Sequence, residues 1–197
     1  MEQIFPIFQE LSSIDLNLEA IYLDPNNPRF VNISWDLISE DNFDDAAIQN
    51  EVKQKLISEF SINKLANNME VNGYLPIDRV VVREFKQGKY VVLEGNRRIC
   101  AAKEIRNKAD QNAESVQPEI LSSIEKISCL LYTGTDPEAA WVFQGLRHIM
   151  GIQDWSSFNK AKLLVTLMEE QNLSLTDVGK RFGLSAFGAG QWARGYY

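Results

Sequence analysis

The sequence predicts an α/β domain over residues 1–135, of α+β type, followed by an all-helical domain over residues 136–197. Three observations carry this. The β-branched runs in "YLPIDRVVVREFKQGKYVVLEG" are joined by Lys86-Gln87-Gly88-Lys89, a hairpin signal. Stretches with apolar residues at helical spacing lie on both sides of that hairpin. After Thr135 only helical spacing appears, and the charge balance changes there: residues 1–135 hold 14 Lys+Arg and 21 Asp+Glu, whereas residues 136–197 hold 6 of each.

The first element is a short strand ending at Leu23 in "LEAIYLDPNNPRF", followed by a Pro/Asn turn that presents Arg29. In "DNFDDAAIQNEVKQKLISEF" the residues Ala47, Val52, Leu56 and Phe60 share a helix face behind an acidic first turn that suits the helix dipole. "SINKLANNMEVNG" is a second helix, capped by Ser61, lined by Ile62, Leu65 and Met69, and stopped by Gly73. The hairpin follows, then a helix from about Asn96 to Arg106. "NKADQNAESVQPEI" reads as a polar, mobile loop, and "KISCLLYTG" as a last strand. Asp136 as cap with Pro137 at the first helical position opens the helical part. Further helices are expected from Ser156 to about Gln171, from Leu175 to Phe182, and from Ser185 to the end. The stop within "QWARGYY" suggests a chain truncated at its C-terminus, with helices or a dimerisation region beyond Tyr197.

Bulk composition narrows the function. With 197 residues, 45% hydrophobic and 24% charged, the chain has the length and composition for an ordinary globular core. No run approaches the roughly 18 apolar residues of a membrane span, and "MEQIFPIFQEL" has no secretory pattern. Cys100 and Cys129 sit in apolar patterns without metal-ligand spacing, as buried reduced thiols of a cytoplasmic protein would. A net charge of -7 excludes a surface that coats nucleic acid everywhere. The last 27 residues differ, with Lys180, Arg181 and Arg194 against Asp177 alone. If DNA is touched, this end touches it.

"YVVLEGNRRICAAKE" places a glycine and two arginines between a buried strand and an Ala-rich helix. The first N–H groups of such a helix, together with its dipole, bind phosphate or carboxylate. Gly95 admits the anion to the backbone, Asn96 caps the helix, and the arginine forks match phosphate oxygens. Consecutive helical residues point about 100° apart, so one of Arg97 and Arg98 faces the anion while the other is left to pair with a carboxylate such as Glu94. Residue spacing leaves two readings open at this point, an anion site or two surface and ion-paired arginines.

"LTDVGKRFGLSAFGAGQWAR", residues 175–194, fits a helix-turn-helix position by position. Gly179 stands where the helices cross and Gly183 in the turn, with Val178, Phe182, Leu184, Ala189 and Trp192 at the interlocking apolar positions. Ser185 caps the second helix, whose Gln191 and Arg194 reach outward, while Lys180 and Arg181 are available for phosphates. Gly188 and Gly190 lower the helix propensity of that second helix, and an ordinary helical hairpin shares most of the pattern.

The run Ser61 to Glu104 resembles the core of the ParB/sulfiredoxin fold, through Asn72-Gly73, Leu75-Pro76-Ile77 and Gly95-Asn96-Arg97-Arg98-x-x-Ala101. "LDPNNPRF" is similar to the segment that opens ParB domains. The resemblance covers about Glu19 to Gly134 and more loosely the helices after it, where the helix-turn-helix is similar to that of KorB-like proteins. It implies a nucleoside triphosphate, CTP favoured, held by Gly95, Asn96, Arg97 and Arg98, with Gly73, Leu75, Pro76 and Ile77 near the base and ribose. Arg29 would approach the phosphates. The third ParB motif corresponds to Phe143-Gln144-Gly145-Leu146-Arg147, which would place Gln144 and Arg147 at the phosphates but puts Phe143 in place of the acid. That departure leaves hydrolysis and magnesium open, and with them any weak CTPase or NTPase activity. Asn96 stands where sulfiredoxin carries its catalytic cysteine, so sulfinic-acid reduction is rejected.

The reading that results is a nucleotide-gated switch or clamp that binds duplex DNA, forms a homodimer, and touches no membrane. A phosphoryl-transfer enzyme or nuclease with Glu94 as its acidic group is the alternative, as is a regulatory module whose cradle holds a protein partner's carboxylate. His148, beside Arg147, reads as a structural residue.

Overall fold

The computed structural model describes residues 10–30, 36–136, 139–140, 142–144, 161–162, 164–165, 168–169, 174–182 and 184–196, with the backbone alone at 181, 182, 195 and 196. A five-stranded mixed sheet has the order β1-β5-β3-β4-β2. Its strands are β1 (Leu11–Asn17), β2 (Ile21–Tyr22), β3 (Val80–Lys86), β4 (Lys89–Glu94) and β5 (Lys126–Tyr132). The hairpin expected from the β-branched runs is β3 and β4, closed over Gln87 and Gly88, with Gly88 at φ +72°. β1 pairs antiparallel with β5, setting Leu11 opposite Tyr132 and Ile14 opposite Cys129. Its irregular alternation, "LSSIDLN", gives little sequence signal for a strand.

Four helices cover one face of the sheet: α1 (Ala46–Glu59), α2 (Ile62–Asn72), α3 (Asn96–Gln111) and α4 (Pro118–Glu125). Asp45 caps α1 by accepting the N–H groups of Ala47 and Ile48 at 2.8 and 3.1 Å. Ser61 occupies the cap position of α2 but is left-handed at φ +55° and makes no side-chain cap bond, contrary to the capping expected of it. Gly73, at φ +71°, ends α2 as expected, its N–H reaching the Met69 carbonyl at 2.8 Å.

The stretch expected as a mobile polar loop is instead largely helical. α3 continues to Gln111, five residues past Arg106, because Ile105 and Ala109 keep burying one face and Lys108 pairs with Glu70 of α2 at 2.8 Å. Asn112 and Ser115 then knit a tight turn, and Pro118 opens α4, which buries Ile120 and Ile124. The core between these helices and the sheet includes Val80, Val82, Val92, Ile99, Ile127 and Cys129; both cysteines are buried and free.

The other face of the sheet carries a smaller cluster of Val81, Leu93 and Tyr132, against which the helical residues Ala139 and Phe143 pack. The Tyr132 and Phe143 rings meet edge to face, 5.4 Å apart. All described residues from 139 to 169 are helical. Two further helices follow, α5 (Leu175–Phe182) and α6 (Ala186–Tyr196). Ser174 caps α5 reciprocally with Asp177, and Ser185 caps α6 by accepting the Gly188 N–H at 3.0 Å. Val178 and Ala189 are fully buried between the pair, and a Cβ on Gly179 would stand 2.7 Å from the Leu184 carbonyl oxygen. α5 also packs against α2, so the helical pair rests on the sheet domain.

Candidate functional site

At the end of β4 the chain must leave the sheet and enter α3 without a gap, and Gly95 makes this possible. Its φ is +111°, and a Cβ there would meet Val80 Cγ2 at 2.9 Å. Gly95, not Asn96, holds the cap position; its carbonyl accepts from Arg98 and Ile99 at 2.9 and 3.1 Å. Asn96 is the first residue of α3 and is buried. Its Oδ1 accepts the Asp24 N–H at 2.8 Å and its Nδ2 donates to the Val92 carbonyl at 3.3 Å. The side chain expected to cap the helix and touch phosphate therefore bolts a distant loop to the turn, because a buried amide must satisfy its own polar atoms first.

One of the two arginines pairs with a carboxylate, as their helical spacing allowed. Arg98 Nη2 lies 3.8 Å from Glu94 Oε1, one turn earlier, with both side chains largely buried. Arg97 is half-buried, and its Nε is shut off from solvent with no hydrogen-bond partner among the described residues. The hydroxyl of Tyr74 is in the same condition. Burial pushes the Tyr74 phenol up to about 12, with the nearby Arg98 guanidinium pulling the other way. An unsatisfied buried donor costs roughly 1–3 kcal/mol, so each of these two groups would gain from an acceptor oxygen.

Residues 73–77 follow the end of α2. The Tyr74 N–H donates to Ser123 Oγ at 2.9 Å, and Ser123 Oγ donates to the Ile120 carbonyl at 2.7 Å. A Cβ on Gly73 would crowd that same hydroxyl at 3.2 Å. α4 thus sets the height of the loop, while Leu75 and Pro76 are exposed and Ile77 is 82% exposed beyond it. Neither Tyr74 nor Ser123 was singled out from the sequence; "GYLP" read as a motif of backbone and apolar residues, and α4 read as loop.

Arg29 lies half-buried in a 3-10 turn, Pro28–Phe30, whose Asn27 side chain accepts the Arg29 N–H at 2.9 Å. Phe30 anchors that turn against Phe60. This is the loop that Asp24 ties to Asn96. Asp24 is itself buried, which raises its carboxyl to about 7 against the opposing pull of the Asn26 N–H and Arg83.

On the other side of the turn, Gln144 is buried and donates to the Leu93 carbonyl at 3.0 Å. Phe143 fills the apolar cluster where the resembled motif has an acid. Arg147 and His148 lie outside the described residues. A cavity of about 880 Å³ opens on this second sheet face, walled by Asp24, Glu40, Arg83, Leu93, Tyr132 and Asp136; the arginine turn is not in its wall. Among the described residues no group of three or more His, Cys, Asp or Glu is arranged to hold a metal ion.

Of the residues expected at DNA, Lys180, Ser185, Gln191 and Arg194 are exposed on α5 and α6; the Arg181 side chain is not described. Ser185 is engaged as the α6 cap.

No family model and no curated protein matches the sequence. Among solved structures, the chain is similar to the C-terminally truncated chromosome-partitioning protein ParB from Caulobacter crescentus complexed with CTP-γ-S. The TM-score is 0.60 at 15% identity, over 93% of this chain and 77% of that one. The same protein complexed to the centromeric parS site aligns with a TM-score of 0.34 at 14% identity, over 92% and 70% of the two chains. The first likeness shows a ParB-like fold.

Proposed function

We propose that this chain is a ParB-like DNA-binding protein gated by a nucleoside triphosphate, with CTP the favoured nucleotide. The observation that carries this reading is the pair of buried, unsatisfied groups Arg97 Nε, in the first turn of α3, and Tyr74 Oη, which lies near Arg98 of the same turn. The phosphates would lie along Gly95 to Arg98, with the exposed Leu75 and Ile77 offering apolar cover to base and ribose. That the solved ParB of like fold was complexed with CTP-γ-S favours CTP. Magnesium usually arrives with the phosphates and needs only one or two carboxylates from protein, and Glu94 is the carboxylate nearest the turn in sequence. Phe143 in an apolar cluster and Gln144 spent on Leu93 support binding more than hydrolysis.

Duplex DNA would be met by α5 and α6 acting as a helix-turn-helix, with α6 entering the major groove. The tight crossing at Gly179 and the locked Val178 and Ala189 support that unit, as does its positive balance in an acidic chain. α2 links the two sites: it ends in the loop that carries Tyr74, and α5 rests on it. A nucleotide that binds one position of that loop more tightly than another would shift α5 with it. A homodimer in the cytoplasm, with residues 1–135 and 136–197 as its two parts, completes the proposal; no helix among the described residues is long and apolar enough to cross a membrane.

Calorimetric titration with CTP, ATP and GTP, each with magnesium, tests the cradle. Saturable CTP binding is expected, and the double variant Arg97→Ala, Arg98→Ala should lose it. Because Arg98 pairs with the largely buried Glu94, the double variant is expected to unfold at a lower temperature. Arg97→Ala alone is the variant that should keep the fold and still weaken binding. If no nucleotide binds the unaltered chain, the gate is rejected and only DNA binding is left to test.

A further inference from the structure

α6 carries an exposed stripe that packing does not explain. Phe187, Gln191 and Arg194 are spaced i, i+4 and i+7, on one side of the helix, whereas Ala189 and Ala193 are buried on another. Phe187 is 70% exposed, the one aromatic among the described exposed large hydrophobic residues. The Arg194 side chain runs back toward the helix N-terminus, as long helical side chains do, and its guanidinium carbon stands 5.9 Å from the centre of the Phe187 ring.

Gly190 is buried between the Arg194 side chain and Leu175 of α5. A Cβ there would stand in ordinary contact with Arg194 Nη1 at 3.5 Å and with Leu175 Cδ1 at 3.7 Å. A cation and an aromatic ring are thus held together over the N-terminal half of α6, the part of such a helix that faces base edges.

Resting on the DNA-binding reading above, we infer that Phe187 and Arg194 form a single reader of a thymine beside a guanine in the major groove. Thymine presents a C5-methyl group that suits an apolar contact, and guanine presents O6 and N7 to an arginine fork. The ring and the guanidinium are held side by side, 5.9 Å apart, so the two bases they meet must be close neighbours in the groove. Charge favours the same occupant: the last 27 residues hold Lys180, Arg181 and Arg194 against Asp177, in a chain of net charge -7.

The test selects preferred duplexes from a random pool with the full chain, then measures their affinity by fluorescence anisotropy. The selected sites should contain the thymine–guanine step. Replacing that thymine by deoxyuridine, which removes only the methyl group, should weaken binding by about tenfold. Replacing the guanine by adenine should weaken it at least as much. In Phe187→Ala, whose lost ring is exposed, the deoxyuridine penalty should vanish while salt-dependent binding to random duplex persists. If duplex is bound but deoxyuridine costs nothing, the inference is overturned and the DNA-binding reading stands. If the unaltered chain binds no duplex at low salt, both fall, and the stripe is left to a protein partner.

Discussion

Asn96 and Asp24, 72 residues apart in sequence, are joined by a hydrogen bond of 2.8 Å from the Asp24 N–H to the Asn96 carboxamide oxygen. The same carboxamide donates to Val92, so one side chain ties the Asp24–Phe30 loop, the end of β4 and the start of α3 together. Asn96→Ala would leave a buried N–H and a weakened carbonyl behind. It is expected to destabilise the fold by about 2 kcal/mol in urea titrations. If the variant is as stable as the parent, the bond is not what holds the loop.

Gly95 is expected to tolerate no side chain. Gly95→Ala forces a left-handed alanine and drives its Cβ to within 2.9 Å of Val80 Cγ2. The conformational part costs about 1–2 kcal/mol and the overpacking a similar amount. Val80→Ala in the same chain should recover the packing part of the Gly95→Ala loss and leave the conformational part. A double-mutant cycle of unfolding free energies separates the two. Strict additivity of the two substitutions would rule out the contact as the cause.

Tyr74→Phe distinguishes a ligand group from a packing group. Its hydroxyl is buried and unsatisfied, so deleting it should leave the unliganded chain as stable or stabilise it by about 1 kcal/mol. If the hydroxyl meets a bound nucleotide, affinity should fall by roughly five- to tenfold in the same variant, the loss of one hydrogen bond. Higher stability with unchanged affinity would remove Tyr74 from the site.

Much of this was legible in the sequence because it rests on local chemistry. The β3–β4 hairpin, the Gly73 stop, the Ser185 cap and the pairing of one of the two arginines, Arg98, with Glu94 all follow from residues within a few positions of each other. The parts that depend on distant partners were not legible. β1 exists because β5 completes it, and its own alternation is weak. α4 is short and polar on one side, so its Ser123 showed no sign of supporting Tyr74. Asn96 reads as a cap residue in the sequence, but Gly95 holds that position, and only the arrival of Asp24 gives the Asn96 carboxamide its task. The interlocking positions Phe182 and Gly183 and the residues Arg147 and His148 stay expectations of the sequence, their side chains lying outside the described residues.

Asp24 gives the fold a pH dependence whose sign is fixed by burial. Its carboxyl is raised from 3.8 to about 7, so the folded chain keeps a proton there that the unfolded chain releases near pH 4. Between these values the folded state binds more protons, and stability therefore falls as pH rises from about 4 to 7. The full contribution is present below the unfolded value and is gone above the folded one. The shift of about three units sets an upper bound of about 4 kcal/mol. Arg83, paired with Glu40 at 2.6 Å, and the Asn26 N–H already temper the effect from within the same wall. Asp24→Asn keeps an acceptor for Asn26 and cannot ionise, so it should flatten the pH profile and be the more stable chain at pH 8. Urea unfolding at pH 4.5, 6 and 8 decides this: parallel profiles for the two chains would mean that Asp24 ionises in the fold as freely as in water.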